Sequence, residues 1–297
     1  MKAVHISKAD KGINAVIFAL AVLAFLLAAY PLYFIFIASF SSPAAISTGR
    51  VTFFPKEVTF AAYRYILQEK ALWLGYANTI FYTIASVVFG LAVTIPAGYA
   101  LSRKDMVGRK STMLLLTFTM FFNGGLIPTY LVVSNLNMLN TRAVLIILNC
   151  ITVFNIIVVR TFFSNSIPSE LFEAASIDGC GNTHFFFSIV IPISKTIIAV
   201  IALYIAVWQW NAFFNALIYT SKPEIQTLQL VIRNLLLQGQ NLSAAEGLDG
   251  EALKAMQETA QLMKYGVIVV STLPIICAYP FAQKYFVKGV MIGSVKG

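Results

Sequence analysis

The stretch from residue 74 to residue 101 reads LGYANTIFYTIASVVFGLAVTIPAGYAL and contains no Asp, Glu, Lys or Arg. An α-helix needs roughly 20 mainly apolar residues to cross a hydrocarbon core about 30 Å thick, and this stretch is longer than that. Backbone N–H and C=O groups in lipid must be hydrogen-bonded within their own segment, so a spanning run has to be helical. The stretch therefore predicts a transmembrane helix and an integral membrane protein.

The rest of the chain repeats this pattern. Apolar residues make up 59% of the 297 residues and charged residues 11%, well below the roughly 25% charge of a soluble domain. The first apolar run follows three lysines, but it is too long for a signal peptide and lacks a small-residue cleavage site. We predict an all-α integral membrane protein with six transmembrane helices, at residues 13–40, 74–101, 113–133, 143–159, 197–219 and 265–285.

The loops indicate which way the chain crosses the membrane. With the N-terminus in the cytoplasm, 12 of the 21 Lys and Arg residues lie inside and the other nine outside, which follows the excess of basic residues in cytoplasmic loops. The net charge of +9 is therefore attributed to topology and not to nucleic-acid binding. The predicted organisation is a cytoplasmic N-terminus at 1–12, a membrane domain at 13–286 with a cytoplasmic loop at 160–195 and outer loops at 41–73 and 221–264, and a cytoplasmic tail at 287–297.

Three shorter segments have simple interpretations. The apolar stripes within 228–235 and 253–263 have helical spacing and predict amphipathic helices in the second outer loop. These helices either cap the bundle or form a docking surface for an extracellular partner. The basic turn at 102–110 is well placed against anionic lipid headgroups.

The six runs lack the groups that other transport mechanisms need. None has an Asp, Glu, Lys or Arg at depth, whereas ion-coupled carriers ordinarily place ionisable groups there. The chain also has no GxxxxGK[ST] phosphate-binding sequence, so energy for uphill transport has to come from another chain. The three cysteines and two histidines have no metal-ligand spacing. We predict a non-catalytic chain with no metal site.

The predicted cytoplasmic loop contains the sequence IPSELFEAASIDGCGN at 167–182. Pro168 suits a first helical turn, and Glu170 and Glu173 complement the positive end of the helix dipole. Gly179 to Gly181 terminate the helix. Leu171, Ala174, Ala175 and Asp178 share one face, and the two small alanines leave a narrow surface that fits closely against another protein. The loop is therefore predicted to dock on a partner.

The spacing of this loop matches a known pattern. Glu173-Ala174-Ala175, three residues, Gly179, nine residues and Ile189-Val190-Ile191-Pro192 resemble the signature loop of ATP-binding-cassette (ABC) importer permeases. Ile191 stands where that family usually has Leu, a change that keeps volume and polarity. Further stretches are most similar to the smaller permease subunit of the sugar-importing, maltose-type branch: NGGLIPTY at 123–130, WQWN at 208–211, QKYFVKG at 283–289 and GSVKG at 293–297.

The resemblance implies a type I ABC importer permease fold and a set of partners. These are a second homologous permease subunit, a cytosolic ABC ATPase dimer that binds ATP and Mg, a binding protein outside the cell, and a sugar. It implies a multi-pass protein of the bacterial plasma membrane with both termini cytoplasmic, working by alternating access. The implied ATPase contacts are Glu173, Ala174, Ala175, Asp178, Gly179 and Pro192 in the loop, and Gly293, Ser294, Val295, Lys296 and Gly297 in the tail.

A substrate pathway is suggested by residues that suit sugars. Aromatic faces cover the apolar surfaces of sugar rings, and amides bond the ring substituents. Tyr204, Trp208, Asn211 and Asn215 recur at helical spacing on one face of the fifth run, and Asn123 and Tyr130 of the third run, with Asn149 and Asn155 of the fourth, complete the predicted lining. Aromatic residues also anchor helices at interfaces, and amides also join helices.

Other functions remain open from the residues alone. One alternative is an importer of amino acids, peptides or ions, and another is a secondary carrier for a neutral solute, which needs neither an ATPase nor a binding protein. A membrane scaffold is a further alternative. The size and charge of the sugar are not determined by the sequence.

Overall fold

The computed structural model describes residues 8–244, 260, 263–277 and 280, and every regular element in these ranges is helical. The described residues form two compact units, one drawn from 1–69 and 234–272 and the other from 70–233 and 273–297.

The first unit begins with a long apolar helix, α1 (Lys8–Ser39), followed by the short α2 (Pro43–Ser47) and by α3 (Ala61–Gln68). Ser42 caps α2, because its Oγ accepts a hydrogen bond of 3.2 Å from the Ala45 N–H. The last helix with described residues, α15 (Met263–Cys277), begins in this unit. Its Gly266 packs against α3, where an added Cβ would lie 3.1 Å from the Ala62 Cβ.

The second unit is built around α4 (Lys70–Ser102), which packs against α7, α8 and α12. Gly75, Gly90 and Gly98 of α4 lie at close contacts with neighbouring elements, as small residues do where helices approach closely in membranes. The other elements are α5 (Arg109–Phe121), α6 (Leu126–Asn135), α7 (Arg142–Cys150), α8 (Val153–Ser166), α9 (Ser169–Ile177), α10 (Asn182–Phe185), a π-helical turn (Phe186–Val190), α11 (Ile191–Ile193), α12 (Lys195–Trp210), α13 (Phe214–Tyr219), a 3₁₀ turn (Pro223–Ile225) and α14 (Leu228–Ala244).

Two helices are long and apolar enough to cross a membrane, Lys11–Ser39 and Lys70–Ser102. Three bent helix pairs also qualify when each pair is taken as one span, which gives up to five spans among the described residues. The sixth predicted run overlaps α15, but its end lies outside the described residues. The all-helical prediction is confirmed, and the count of six stays a prediction.

The prediction of continuous helices was wrong for three runs. The run at 113–133 bends by 112° between α5 and α6, where Gly125 has a φ of +83° that favours glycine. The run at 143–159 bends by 45°, because Thr152 caps a new helix by accepting a hydrogen bond from the Asn155 N–H. The run at 197–219 is interrupted after Trp210. Apolar composition identifies a membrane segment but does not show where its backbone breaks.

The predicted outer-loop helices have different outcomes. Leu228 and Val231 lie in α14 and are buried. Both contact Gly75 of α4, where an added Cβ would be 3.1 Å from the Leu228 Cα. This end of α14 therefore caps its own unit and does not lie flat in the outer interface. Most of the second predicted helix, 253–263, and the whole tail at 287–297 lie outside the described residues.

Candidate functional site

The predicted docking helix is present as α9. It ends at the predicted glycines, whereas Pro168, predicted for the first turn, precedes the helix. Pro168 is the N-cap residue, with φ −62° and ψ 146°, and Glu170 lies in the first turn. At the C-terminus Gly179 has a φ of +75°. The Cys180 N–H donates to the Ala175 carbonyl at 2.9 Å, and the Gly179 N–H donates to the Ser176 carbonyl at 3.1 Å. This is a Schellman end, in which the left-handed residue is usually glycine.

The two alanines of α9 have different surroundings. Ala174 is exposed, as are Glu173, Asp178 and Gly179. Ala175 is only 8% exposed, and it belongs to a buried cluster that includes Phe185. Consecutive helix positions lie about 100° apart, so the single smooth face predicted from the alanine pair is divided. Ala174 is exposed, and Ala175 packs α9 onto its own unit. Pro192 is exposed in α11, and the five predicted contact residues of the tail lie outside the described range.

The inner side of α9 contacts the basic turn that follows α4. The Arg103 guanidinium lies over the Phe172 ring, 3.5 Å from its centroid. The same group donates to both carboxylate oxygens of Asp105, at 2.8 and 2.6 Å, and to the Tyr99 hydroxyl at 3.2 Å. The hydrogen bonds from Arg103 lower the pKa of Asp105, and those to Asp105 raise the pKa of Arg103.

A cavity of about 730 Å³ lies beside this contact and is lined by both the basic turn and α9. Its lining includes three basic residues from the turn, Arg103, Lys104 and Arg109, and two acidic residues of α9, Glu170 and Glu173. The sequence assigned this turn to lipid headgroups from its charge alone. Contact with α9 was missed, since Phe172 is remote from Arg103 in the chain.

A second cavity, of about 870 Å³, is formed by α7, α8, α12 and α13. It opens beside the break after Trp210, where the Asn211 side chain donates back to the Val207 carbonyl at 2.8 Å. The cavity brings together all four predicted fifth-run residues and the two fourth-run amides: Tyr204, Trp208, Asn211, Asn215, Asn149 and Asn155. None of the described residues that line it is Asp, Glu, Lys or Arg.

Aromatic and amide groups are combined in this cavity. Trp208 is 65% exposed and presents a broad apolar ring. Asn215 donates to the Asn149 Oδ1 at 2.8 Å, so these two amides are oriented by each other. Such a surface stacks on apolar faces and bonds hydroxyl groups without requiring a charged ligand.

The two third-run residues are not in this cavity. The Asn123 side chain accepts a hydrogen bond of 2.8 Å from the Gly125 N–H, at the bend between α5 and α6. Tyr130 stacks on Tyr219, with ring centroids 6.0 Å apart. The cavity instead includes Phe213 and Phe214, which the sequence analysis did not select. They lie at the break in the fifth run, which the apolar composition of that run does not reveal.

Comparison with known proteins identifies the family. The chain is 38% identical over 267 residues to "Protein LplC" of Bacillus subtilis (strain 168), covering 90% of this chain and 89% of LplC. It is 36% identical over 272 residues to the "Polygalacturonan/rhamnogalacturonan transport system permease protein YtcP" of the same organism, covering 92% and 94%. The chain belongs to the permease subunits of carbohydrate ABC importers.

Structural comparison gives the same result for this permease. A chain in the crystal structure of a bacterial ABC transporter involved in the import of the acidic polysaccharide alginate superposes with a TM-score of 0.85 and 33% identity. The match covers 96% of the permease and 100% of that chain. No protein-family model matches the permease. Membership of this family removes the secondary carrier, the scaffold and the amino-acid or peptide importer as interpretations.

The described part of the permease offers no metal centre. No group of three His, Cys, Asp or Glu side chains in these ranges is close enough to hold a metal ion.

Proposed function

We propose that this permease imports an oligosaccharide across the bacterial plasma membrane by alternating access, with ATP hydrolysis in a partner chain as the energy source. The observation that carries the proposal is α9, a short capped helix whose acidic and small residues are exposed while Ala175 and Phe172 fix it to the membrane unit. A helix fixed on one side and exposed on the other is suited to receive a partner and to move with it.

The partner at α9 is a cytosolic ABC ATPase dimer, which binds ATP and Mg. Glu173, Ala174, Asp178 and Gly179 supply the contact surface, because all four are exposed. Pro192 and the tail residues 293–297 supply further contacts. In this proposal both termini and the loop at 160–195 lie in the cytoplasm. A second homologous permease subunit completes the membrane part.

The substrate passes through the cavity of about 870 Å³, delivered from outside by a binding protein. Sugar rings stack on Trp208 and Tyr204, and their hydroxyls bond Asn211 and the paired amides of Asn149 and Asn215. The names of YtcP and of the alginate transporter support a polysaccharide fragment as substrate. The amides and aromatic rings of the described lining suit the hydroxyls and the apolar faces of sugar rings.

Reconstitution in liposomes tests the proposal. The permease is co-expressed with its partner permease and ATPase, and sugar uptake and sugar-stimulated ATP hydrolysis are measured with the binding protein present. Glu173→Lys is expected to abolish both while the complex still assembles, because it reverses a charge at the docking surface. Glu224→Lys makes the same change at an exposed residue outside the loop and is expected to assemble and hydrolyse ATP like the wild type. Normal stimulation in Glu173→Lys would contradict the proposal.

A further inference from the structure

The basic turn after α4 is joined to α9 by one side chain. Arg103 is the first residue after α4, and its side chain is only 17% exposed. Its guanidinium face covers the Phe172 ring at 3.5 Å, and its edge donates to Asp105 and Tyr99. A planar group held on one face and two edges has little freedom to move.

The chemistry of this contact requires arginine. A guanidinium stacks flat on an aromatic ring and at the same time forms a forked pair with a carboxylate, whereas an ammonium is a point charge. Neither Lys104 nor Arg109 stacks on a ring or pairs with a carboxylate within the described part of the chain. Arg103 therefore differs from the other bases of the turn.

The contact continues into the buried part of the same unit. The Phe172 ring packs edge-on against the Phe185 ring, with 5.2 Å between their centroids. The centroid of the Tyr99 ring lies 5.1 Å from that of Phe186 and 5.6 Å from that of Phe163. These rings belong to α9, to the end of α4, to α8 and to the segment that precedes α12. Aromatic rings packed this closely transmit a displacement, since the interior has little free volume.

The end of α4 is in turn connected to the wall of the substrate cavity. Gly90 of α4 contacts the Ile205 side chain of α12, where an added Cβ would come within 2.7 Å of Ile205 Cδ1. Ile205 lines the cavity of about 870 Å³. Arg103 thus lies just after the C-terminus of α4, and a contact with a cavity-lining residue lies further back along the same helix, with Pro96 between the two.

We propose that Arg103 is a positioning residue that locks α9 to the end of α4, so that a movement of α9 shifts α4 and the cavity wall. The proposal rests on the proposed function, because the partner ATPase supplies the movement. Arg103 itself touches neither substrate nor nucleotide in this role. A contiguous set of contacts is a physical route for coupling, but coupling energy between its members has to be measured.

The first experiment measures coupling in the assembled importer in lipid nanodiscs. The readout is the ratio of sugar-stimulated to basal ATP hydrolysis, together with sugar transported per ATP in liposomes. Arg103→Met and Phe172→Leu are each expected to lower the ratio by on the order of 10-fold, about the worth of a desolvated cation–π contact. The double variant is expected to be no worse than either single variant, because both remove the same contact.

Two further variants separate this role from general effects. Arg103→Lys keeps the charge but not the fork or the flat face, and it is expected to behave like Arg103→Met. Lys104→Met removes a neighbouring charge that also lines the cavity of about 730 Å³, and it is expected to keep the wild-type ratio. Equal loss in Lys104→Met, additive losses in the double variant, or a wild-type ratio in Arg103→Met would each overturn the proposal.

A second measurement does not depend on transport. Hydrogen exchange of the Ser169–Ile177 amides in the purified full-length permease is expected to be several-fold faster in Arg103→Met than in the wild type. If the wild-type complex shows no sugar-stimulated hydrolysis, the proposed function fails. The exchange rate still tests whether Arg103 holds α9 against the end of α4. Faster exchange with an unchanged stimulation ratio would overturn the coupling role and leave a purely structural contact.

Discussion

Gly98 of α4 lies directly against Val159 of α8, where an added Cβ would be 2.7 Å from the Val159 Cβ and 3.1 Å from the Arg160 nitrogen. The contact lies near the cytoplasmic end proposed for α4, just before Arg103. Because α8 leads directly into the docking loop, this close approach fixes the distance between the central helix and the segment that carries α9. The absence of a side chain at residue 98 is therefore a requirement of the packing.

Gly98→Ala is expected to destabilise the permease by about 1–3 kcal/mol, because the extra methyl group would clash with the Val159 side chain and with the backbone of α8. The measurement is the thermal midpoint of the detergent-purified chain. Gly12→Ala, at a helical glycine with nothing within 4 Å of the added Cβ, is the matched control and is expected to be neutral or slightly stabilising. An unchanged midpoint in Gly98→Ala would show that α8 moves away at little cost.

A buried amide holds the segment 223–228 against α4. The Asn78 Nδ2 donates to the Glu224 carbonyl at 2.8 Å and to the Gln226 carbonyl at 3.1 Å. Asn78→Ala is expected to cost about 1–3 kcal/mol, since two carbonyls lose a donor at a buried site. Hydrogen exchange and proteolysis should both increase in this segment.

The matched control for the two Asn78 hydrogen bonds is Tyr82→Phe. It removes one hydrogen bond, from the Tyr82 hydroxyl to the Ile225 carbonyl at 2.8 Å, and leaves the ring in place. It is expected to have a smaller effect of the same sign. A larger effect in Tyr82→Phe than in Asn78→Ala would show that the amide is not the main support.

The sequence predicted α9 well because its signals are local. A proline at the start, acidic residues in the first turn and a glycine that adopts positive φ at the end act on neighbouring backbone groups. The long apolar helices were predictable for a similar reason, since the backbone groups of an uncharged run in lipid must bond within that run and therefore form a helix.

The breaks in the bent spans were not predictable from composition. Asn123 was predicted to line the substrate pathway, and in the structure its side chain accepts a hydrogen bond from the Gly125 N–H at the bend. An amide in an apolar run has the same appearance in sequence whether it bonds a ligand or its own backbone. The role of Arg103 was missed for a related reason, because its charge was visible and its ring partner was distant in the chain.

Gln209 lies in α12 with 1% of its surface exposed, and neither polar atom of its side chain has a hydrogen-bond partner in the described part of the chain. Gln209→Met is expected to raise stability by about 1–3 kcal/mol, because it removes two unsatisfied polar atoms at similar volume. The measurement is again the thermal midpoint, with Gln68→Met at an exposed position as control. A lower midpoint in Gln209→Met would indicate that the amide is hydrated or bonded in solution.

The Arg103–Asp105 pair makes a prediction about pH. Hydrogen bonds from Arg103 lower the pKa of Asp105 below its ordinary value of 3.8. The pair therefore contributes stability above that value, and the contribution is lost as pH falls through the lowered pKa of the folded state. The difference in thermal midpoint between the wild type and Asp105→Asn is expected to be constant from about pH 5 to 8 and to shrink below about pH 4. A difference that changes near neutral pH would contradict this assignment.

The cavity beside α12 makes the sharpest prediction about substrate. Trp208 supplies the largest exposed ring in its lining, and Asn211 lies at the adjacent break with its amide donating to Val207. Trp208→Ala removes the stacking surface, and it is expected to reduce sugar uptake by roughly 10-fold or more, as truncating an aromatic anchor of a binding surface does. Trp208→Phe keeps a ring and is expected to retain a substantial part of uptake.

The controls separate a role in the substrate pathway from an effect on folding or assembly. Asn211→Ala is expected to reduce uptake as well, while ATP hydrolysis in the assembled complex without sugar stays at the wild-type level. Tyr130→Ala removes an aromatic residue of the third run that lies outside this cavity and stacks on Tyr219, and it is expected to affect thermal stability more than uptake. Wild-type uptake in both Trp208→Ala and Asn211→Ala would remove this cavity from the pathway, because the two variants take away its largest exposed ring and the amide at the adjacent break.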